Sequence, residues 1–272
     1  FINLVMEPAG KSIAGNVLTM ADGISIASSV NQFAGAISVV EIEDAASNNI
    51  LPVSGSCGAP VLLNSFNVIS GDYPLVRPLM VSFDSTPETR LTSEVFDFAA
   101  GTVAQRLISA EGFENMTATA QDDEAKNRRF NRLLGSTFDD AERLAAAQMF
   151  QRLFEAQRLS PTMIGGATSG AEAGWNRAMF HTLADGLAAP EMAGREVMFV
   201  GFGDDTDGAA ALVSSAAAAA DMRAAFLQFA PNVVASNNLT TTSHGFGAIS
   251  PATCYDGQVA GSGHSRVEIW VK

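Results

Sequence analysis

The segment Arg195-Glu196-Val197-Met198-Phe199-Val200-Gly201 constrains this chain more than any other. Its unbroken apolar centre, rich in β-branched and aromatic residues, reads as a buried strand. An apolar, alanine-rich stretch follows, Ala209 to Phe229, with a pure alanine run from Ala216 to Ala220, and it reads as a helix. Helical patterns also cover about Phe138 to Arg158, with Thr137 as cap and Asp139 and Asp140 at the positive end, and Gly174 to Leu187. Strands are predicted over Thr240 to Phe246 and Arg266 to Val271, the second alternating Val267, Ile269 and Val271 against Glu268 and Trp270. This half reads strand, helix, strand, helix, strand, strand: an α+β sandwich with helices covering one face of a small sheet.

The first half is punctuated by Gly, Pro, Ser and Asn, and reads as short alternating strands and helices. Helices are predicted over Val17 to Val30 and over Ser93 to Ala110, the latter capped by Ser93 with Phe96, Ala99 and Ala100 on one face. Ala36 to Ile42 and Pro78 to Phe83 read as strands. Between the halves, Glu114 to Thr137 is polar and of linker composition, with room for a short helix. The organisation predicted is therefore residues 1–113, a linker at 114–137, and residues 138–272.

Charge excludes some partners. Lys and Arg number 16 against 29 Asp and Glu, a net charge of −13. Nucleic acid wants a basic stripe, and an anionic membrane surface wants the same. No uninterrupted apolar run is long enough to span a bilayer, so no membrane-crossing helix is expected. The chain opens at Phe1-Ile2-Asn3-Leu4 without the features of a signal peptide, and reads as beginning inside a structural element, a fragment or processed product.

Chemistry-bearing motifs are sparse. Cys57 and Cys254 fit no zinc or Cys-x-x-Cys pattern, and read either as two free thiols or as one disulfide. His181, His244 and His264 form no His-x-x-x-His or His-Glu pair, so no metal site is expected. No Gly-x-Ser-x-Gly elbow occurs. The acidic turn from Gly201 to Gly208 lacks a third helix-opening glycine, and position twelve counted from Asp204 is Ser215, which fails as a calcium loop. No cofactor is expected.

Two family resemblances can be drawn. Phe199-Val200-Gly201-Phe202-Gly203-Asp204, then a long helix, then Gly245-Phe246-Gly247-Ala248-Ile249-Ser250-Pro251, and finally Arg266-Val267-Glu268-Ile269-Trp270-Val271, resemble in order and spacing the OmpA-like peptidoglycan-binding domain. The resemblance covers about Arg158 to Lys272. It implies that an Asp after the first turn and an Arg on the next helix clamp the diaminopimelate of a stem peptide, a carboxylate on an ammonium and a guanidinium on a carboxylate. Asp204 stands at the Asp position. The Arg position falls near Ala219, so half of the clamp is missing, and Arg223, one helical turn on, substitutes only if the helix register differs. The family's helix Asn falls near Leu212 or Val213, and Gly261, His264 and Ser265 stand where its last loop has polar or basic residues.

In the first half, Ala34-Gly35-Ala36-Ile37-Ser38-Val39, then Asn64 to Leu79 with its core Asp72-Tyr73-Pro74-Leu75-Val76-Arg77-Pro78-Leu79, then Phe96 through Gln105 to Phe113, resemble the C-terminal part of phosphate-type periplasmic substrate-binding proteins. That family's Arg followed by Ser-Gly-Thr is absent; Ser54-Gly55-Ser56 opens no helix and reads as a turn. The ligand site is expected upstream of Phe1, and Arg77 reads as a structural ion-pair residue.

Together the resemblances imply a partial type-2 periplasmic-binding-protein module (α/β) followed by an OmpA-like α/β sandwich. They imply a non-enzymatic protein of the periplasm and cell envelope, outer-membrane or cell-wall associated, of Gram-negative type, with peptidoglycan and a small oxyanion such as phosphate as partners. In such a compartment a Cys57–Cys254 bridge would staple the two halves. The alternative is a structural or assembly protein that has lost both ligands and makes protein contacts or self-associates.

Overall fold

A computed structural model describes residues 2–7, 9–45, 50–54, 60–76, 78–79, 81, 89–135, 140–167, 169–203, 208–249 and 266–272. After a π-turn at Ile2–Met6, the first half holds helices α1 (Gly23–Gln32) and α2 (Ile42–Ala45), the antiparallel pair β1 (Val53–Ser54) and β2 (Pro60–Val61), then α3 (Ser65–Ile69), α4 (Arg90–Ala100) and α5 (Thr102–Ala110). Next come α6 (Asp123–Gly135), α7 (Asp140–Leu153), β3 (Gln157–Ile164), α8 (Gly170–Leu187), β4 (Glu196–Phe202), α9 (Gly208–Phe229), α10 (Pro231–Ser236), β5 (Thr240–Gly245) and β6 (Arg266–Val271). The protein is mixed α/β, with one four-stranded sheet in the order β3-β6-β4-β5. β6 runs antiparallel to both its neighbours, and β4 and β5 run parallel.

Both faces of this sheet are covered, not one. On the first face Val197, Phe199, Val267 and Ile269 pack against Met179, Leu183 and Leu187 of α8 and Met222 and Phe226 of α9. On the second, Met198, Val200, Phe202 and Trp270 pack against Phe130 of α6 and Met149 and Leu153 of α7. The short helix allowed within 114–137 is thus α6, and it carries a core residue: Phe130 lies edge-on to Phe150, with ring centres 5.4 Å apart. Hence β6 is buried on both sides despite its alternation, and Glu268 is completely enclosed.

α9 lies on β4 and β5 through glycines. A Cβ at Gly201 would collide with the Ser215 carbonyl, and one at Gly245 with the Ala216 backbone. Ala211, Ser215, Ala218 and Ala219 are the buried small residues of that contact. This explains the alanine run: larger side chains would lift the helix off the sheet. By length and composition alone α9 also meets the measure of a membrane-crossing helix, although polar residues interrupt its apolar run.

Several first-half expectations need correction. Residues 36–41 form no strand, and Ile37 and Val39 are exposed, because no described strand lies beside them to complete a ladder. Residues 78, 79 and 81 are likewise outside any strand; Pro78 has no amide to donate to one. The helix expected over Ser93 to Ala110 is two, broken at Gly101, whose extended backbone ends α4 and starts α5. Thr89, not Ser93, caps α4, in a reciprocal box with Thr92. Ser93 instead accepts a hydrogen bond from Arg177 Nη2 at 2.9 Å, beside Asp97, which lies 3.0 Å from the same nitrogen and 3.2 Å from His181 Nε2.

Gly201→Ala is expected to destabilise the protein by about 1–3 kcal/mol or more through overpacking. Gly174→Ala, on the exposed side of α8 with nothing within 4 Å of the added carbon, should stabilise by about 0.5–1 kcal/mol. Urea unfolding of the two variants checks the opposite signs.

Candidate functional site

The parallel strands β4 and β5 end side by side, so the turns that follow them meet. Phe246 N–H donates to Gly201 O at 3.0 Å and Gly203 N–H to Gly247 O at 2.9 Å. Gly247 N–H in turn donates to Ser215 Oγ at 3.0 Å, and Gly247 has φ +62, a conformation that favours glycine. Asp204 follows Gly203 directly but lies outside the described residues. So do Cys57, Cys254, Arg77, Gly261, His264 and Ser265, as well as residues 55 and 56 after Ser54.

The helix positions can be placed. Ala219 is completely buried, its Cβ close to where a Gly201 side chain would start, so an arginine at that position would have no room. Leu212 and Val213 are exposed. Arg223 lies against the outer side of β5, where its Nε donates to Thr241 O at 3.0 Å and Thr241 Oγ1 at 2.8 Å. Thr241 is roughly 13 Å of strand away from Gly245 and the turn. Arg223 would have to leave Thr241 to meet a ligand held beside Gly203.

Behind the strands lies a buried ionic cluster that no motif announced. Arg158 and Glu268 have side chains 1% and 0% exposed. Arg158 grips Asp72 with both terminal nitrogens, at 2.5 and 3.2 Å, and its Nε lies 3.3 Å from Glu268 Oε2. The same Oε2 accepts from Arg129 Nη1 at 2.9 Å and from Trp270 Nε1 at 3.0 Å. Arg266 pairs with Glu268 Oε1 at 2.7 Å, and the Arg129 and Arg266 guanidiniums lie about 5 Å from the Phe202 ring centre. Burial alone would raise the Glu268 carboxyl; Arg129, Arg158 and Arg266 outweigh it and hold the carboxyl far below the usual range. Burial pulls the Arg266 guanidinium down to about 10. For Asp72, too, burial opposes ionisation, and Arg158 overcomes it. Enclosure makes this cluster a frame, not a ligand site. The one sequence signal was Glu268, a carboxylate inside an otherwise apolar strand.

A polar cleft of about 550 Å³ opens on the α7 side of β5, lined among others by Gln148, Gln151, Arg152, Glu196, His244 and Lys272. Arg152, in the last turn of α7, donates from Nη2 to Glu196 Oε1 at 2.5 Å and from Nε to His244 Nε2 at 3.2 Å. Thr242 Oγ1 donates to the same Glu196 oxygen at 2.8 Å. Burial, then the neighbouring Arg152 charge, pushes His244 below its ordinary value, so the ring is neutral at pH 7, with its proton on Nδ1 because Nε2 accepts. The ring stacks on Phe246 at 6.4 Å. These donors offer recognition of an acceptor-rich group. Sequence reasoning missed Arg152 and Glu196, whose spacing carries no signal; only the sheet brings them together. Among the described residues, no group of His, Cys, Asp and Glu is placed to hold a metal.

Glu268→Gln leaves an excess of buried positive charge, and should cost about 3 kcal/mol or more in urea unfolding. The pH dependence follows from the signs. Asp72 and Glu268 have folded values below their unfolded ones. Their contribution is therefore full above about pH 5 and is lost progressively as pH falls below about 4. An acid titration of stability should show this loss in the parent protein and a shallower one in Glu268→Gln.

No protein-family model matches this chain, and no curated protein matches it.

Proposed function

We propose that this is a non-enzymatic cell-envelope protein. In this reading residues 138–272 form an OmpA-like unit that holds peptidoglycan and tethers the phosphate-type segment, residues 1–113, whose partner is a small oxyanion such as phosphate. The observation that carries the reading is the meeting of the two turns. Phe199 to Asp204 and Gly245 to Pro251 bear the two family-like motifs, and Gly203 and Gly247 are hydrogen-bonded to each other at 2.9 Å. Asp204, the next residue in sequence, stands at the family's Asp position, and a carboxylate there suits the ammonium of a stem peptide. With Ala219 occluded and Arg223 held by Thr241, the reading rests on Asp204 and the turn backbone, without a guanidinium partner.

A second reading, a structural or assembly protein of the envelope, is favoured by a separate observation. Residues 1–113 leave Ile24, Phe33, Ile37, Leu91 and Phe98 exposed. Such residues are suited to contacts with a protein partner or with further copies of the chain.

Co-sedimentation with purified peptidoglycan separates the two. Wall binding predicts that the protein pellets, that Asp204→Ala weakens binding about tenfold, and that Arg223→Ala leaves pelleting intact. If the parent protein stays in the supernatant while sedimentation velocity finds a stable oligomer, the structural reading stands.

A further inference from the structure

The two edges of the sheet are treated differently. The outer edge of β3 is covered: Gln121 N–H donates to Arg158 O and Ser160 N–H to Thr119 O, both at 2.8 Å, with a bridge between Ala120 and Leu159. The outer edge of β5 has no such cover among the described residues. Thr240 N–H and Phe246 N–H bond to β4, at Arg195 O and Gly201 O. In a parallel ladder the even-numbered residues between them face β4 as well, and the odd-numbered ones face outward. Arg223 occupies the outward carbonyl of Thr241. Ser243 has the same outward orientation, and no described residue bonds to its backbone from that side.

The same strand floors the cleft. Thr242 and His244 project to the α7 side, where Arg152 and Glu196 lie. Glu196 already accepts from Arg152 and Thr242 on one oxygen. Arg152 Nη1, His244 Nδ1 and the Gln148 and Gln151 amides make no hydrogen bond to any described residue. The cleft is therefore rich in donors, in a chain whose net charge is −13. A carboxylate complements it.

We propose that the outer edge of β5 beyond Thr241, uncovered among the described residues, and the adjoining cleft bind an extended peptide by strand addition, with one carboxylate side chain of the peptide on Arg152 and His244. A peptide paired at Ser243 presents alternate side chains to the cleft face, which gives the pairing its register. Beyond Thr241, whose carbonyl Arg223 holds, the strand offers Thr242 to Gly245, about four residues or roughly 13 Å.

The test titrates the full ¹⁵N-labelled chain with the capped peptide acetyl-Thr-Val-Glu-Val-Thr-amide and follows backbone and imidazole resonances. Expected are shifts at the Ser243 amide and the His244 ring, weakening of about tenfold when the peptide Glu is replaced by Gln, and loss of the Ser243 shift when alternate peptide nitrogens are methylated. Because both controls alter the ligand, a misfolded variant cannot mimic them. Three results overturn the proposal. Reproduction of every shift by glutarate alone makes the cleft a small-anion pocket. A Ser243 shift that follows protein concentration in the absence of peptide makes a second copy the occupant. No movement of any resonance at millimolar peptide leaves the edge without a peptide site.

Discussion

The frame of this protein depends on one buried carboxylate. Glu268 sits in the second strand of the sheet, with three guanidiniums and an indole N–H around it. Desolvating one carboxylate costs several kcal/mol, and that cost is recovered only if its partners stand where they do. Arg129 comes from α6, Arg158 from β3 and Arg266 from β6 itself. Arg158 then reaches Asp72, 86 residues earlier, so the same network fixes the segment after α3 against the sheet. Removing any one partner leaves a like-charged or unpaired group in a space without water. The network therefore selects one arrangement of distant segments more than it adds net stability.

The other face works by the opposite means. There α9 approaches the sheet so closely that Gly201 and Gly245 have no space for a Cβ. Over the two glycines the contact is made of alanines, one buried serine and the backbone, and only farther along α9 do Met222 and Phe226 enter it. A consequence reaches function: a position that faces the sheet cannot also present an arginine to a ligand at the turn. The alanine at position 219 is thus a packing residue, and the closeness of the helix leaves no room for a guanidinium there. Ser215 contributes to both sides of this contact, since its hydroxyl also accepts the Gly247 amide.

What the sequence made readable follows from how local each signal was. In the second half β4, α8, α9 and β6 announce themselves because each has a strongly apolar pattern, and they lie within a few residues of their expected bounds; no strand segment is predicted over β3, Gln157–Ile164, whose first residues fall within the helix expected to reach Arg158. In the first half the apolar run 36–41 carries a strand's composition, yet a strand exists only with a neighbour, and neighbours are not encoded locally. Gly101 divides one amphipathic pattern into two helices, because a single extended residue resets the axis while leaving the composition unchanged. The turn pair at Gly203 and Gly247 was readable as two motifs. The cluster was not, since Asp72, Arg129 and Arg158 are ordinary surface residue types until the fold brings them to Glu268.

An open strand edge is a hazard, and β5 carries the usual precautions: it is short, it consists of Thr, Ser, His and Gly, and an arginine covers one of its carbonyls. Those precautions stop at Thr241. Farther along, at Ser243, no described residue covers the edge, while the adjoining cleft gathers donors around Arg152 and His244. A purely protective design would place a charged side chain on the outward positions, as long flat edges require. Here the charge has moved to the neighbouring face and is braced by Glu196, which holds the guanidinium in one orientation. Bracing an arginine costs it side-chain freedom before any ligand arrives, and that cost lowers the entropy lost on binding. The combination of a backbone that no described residue covers and a guanidinium held by Glu196, on a sheet whose neighbouring strands are tied by buried ion pairs, has the physical form of a recognition edge.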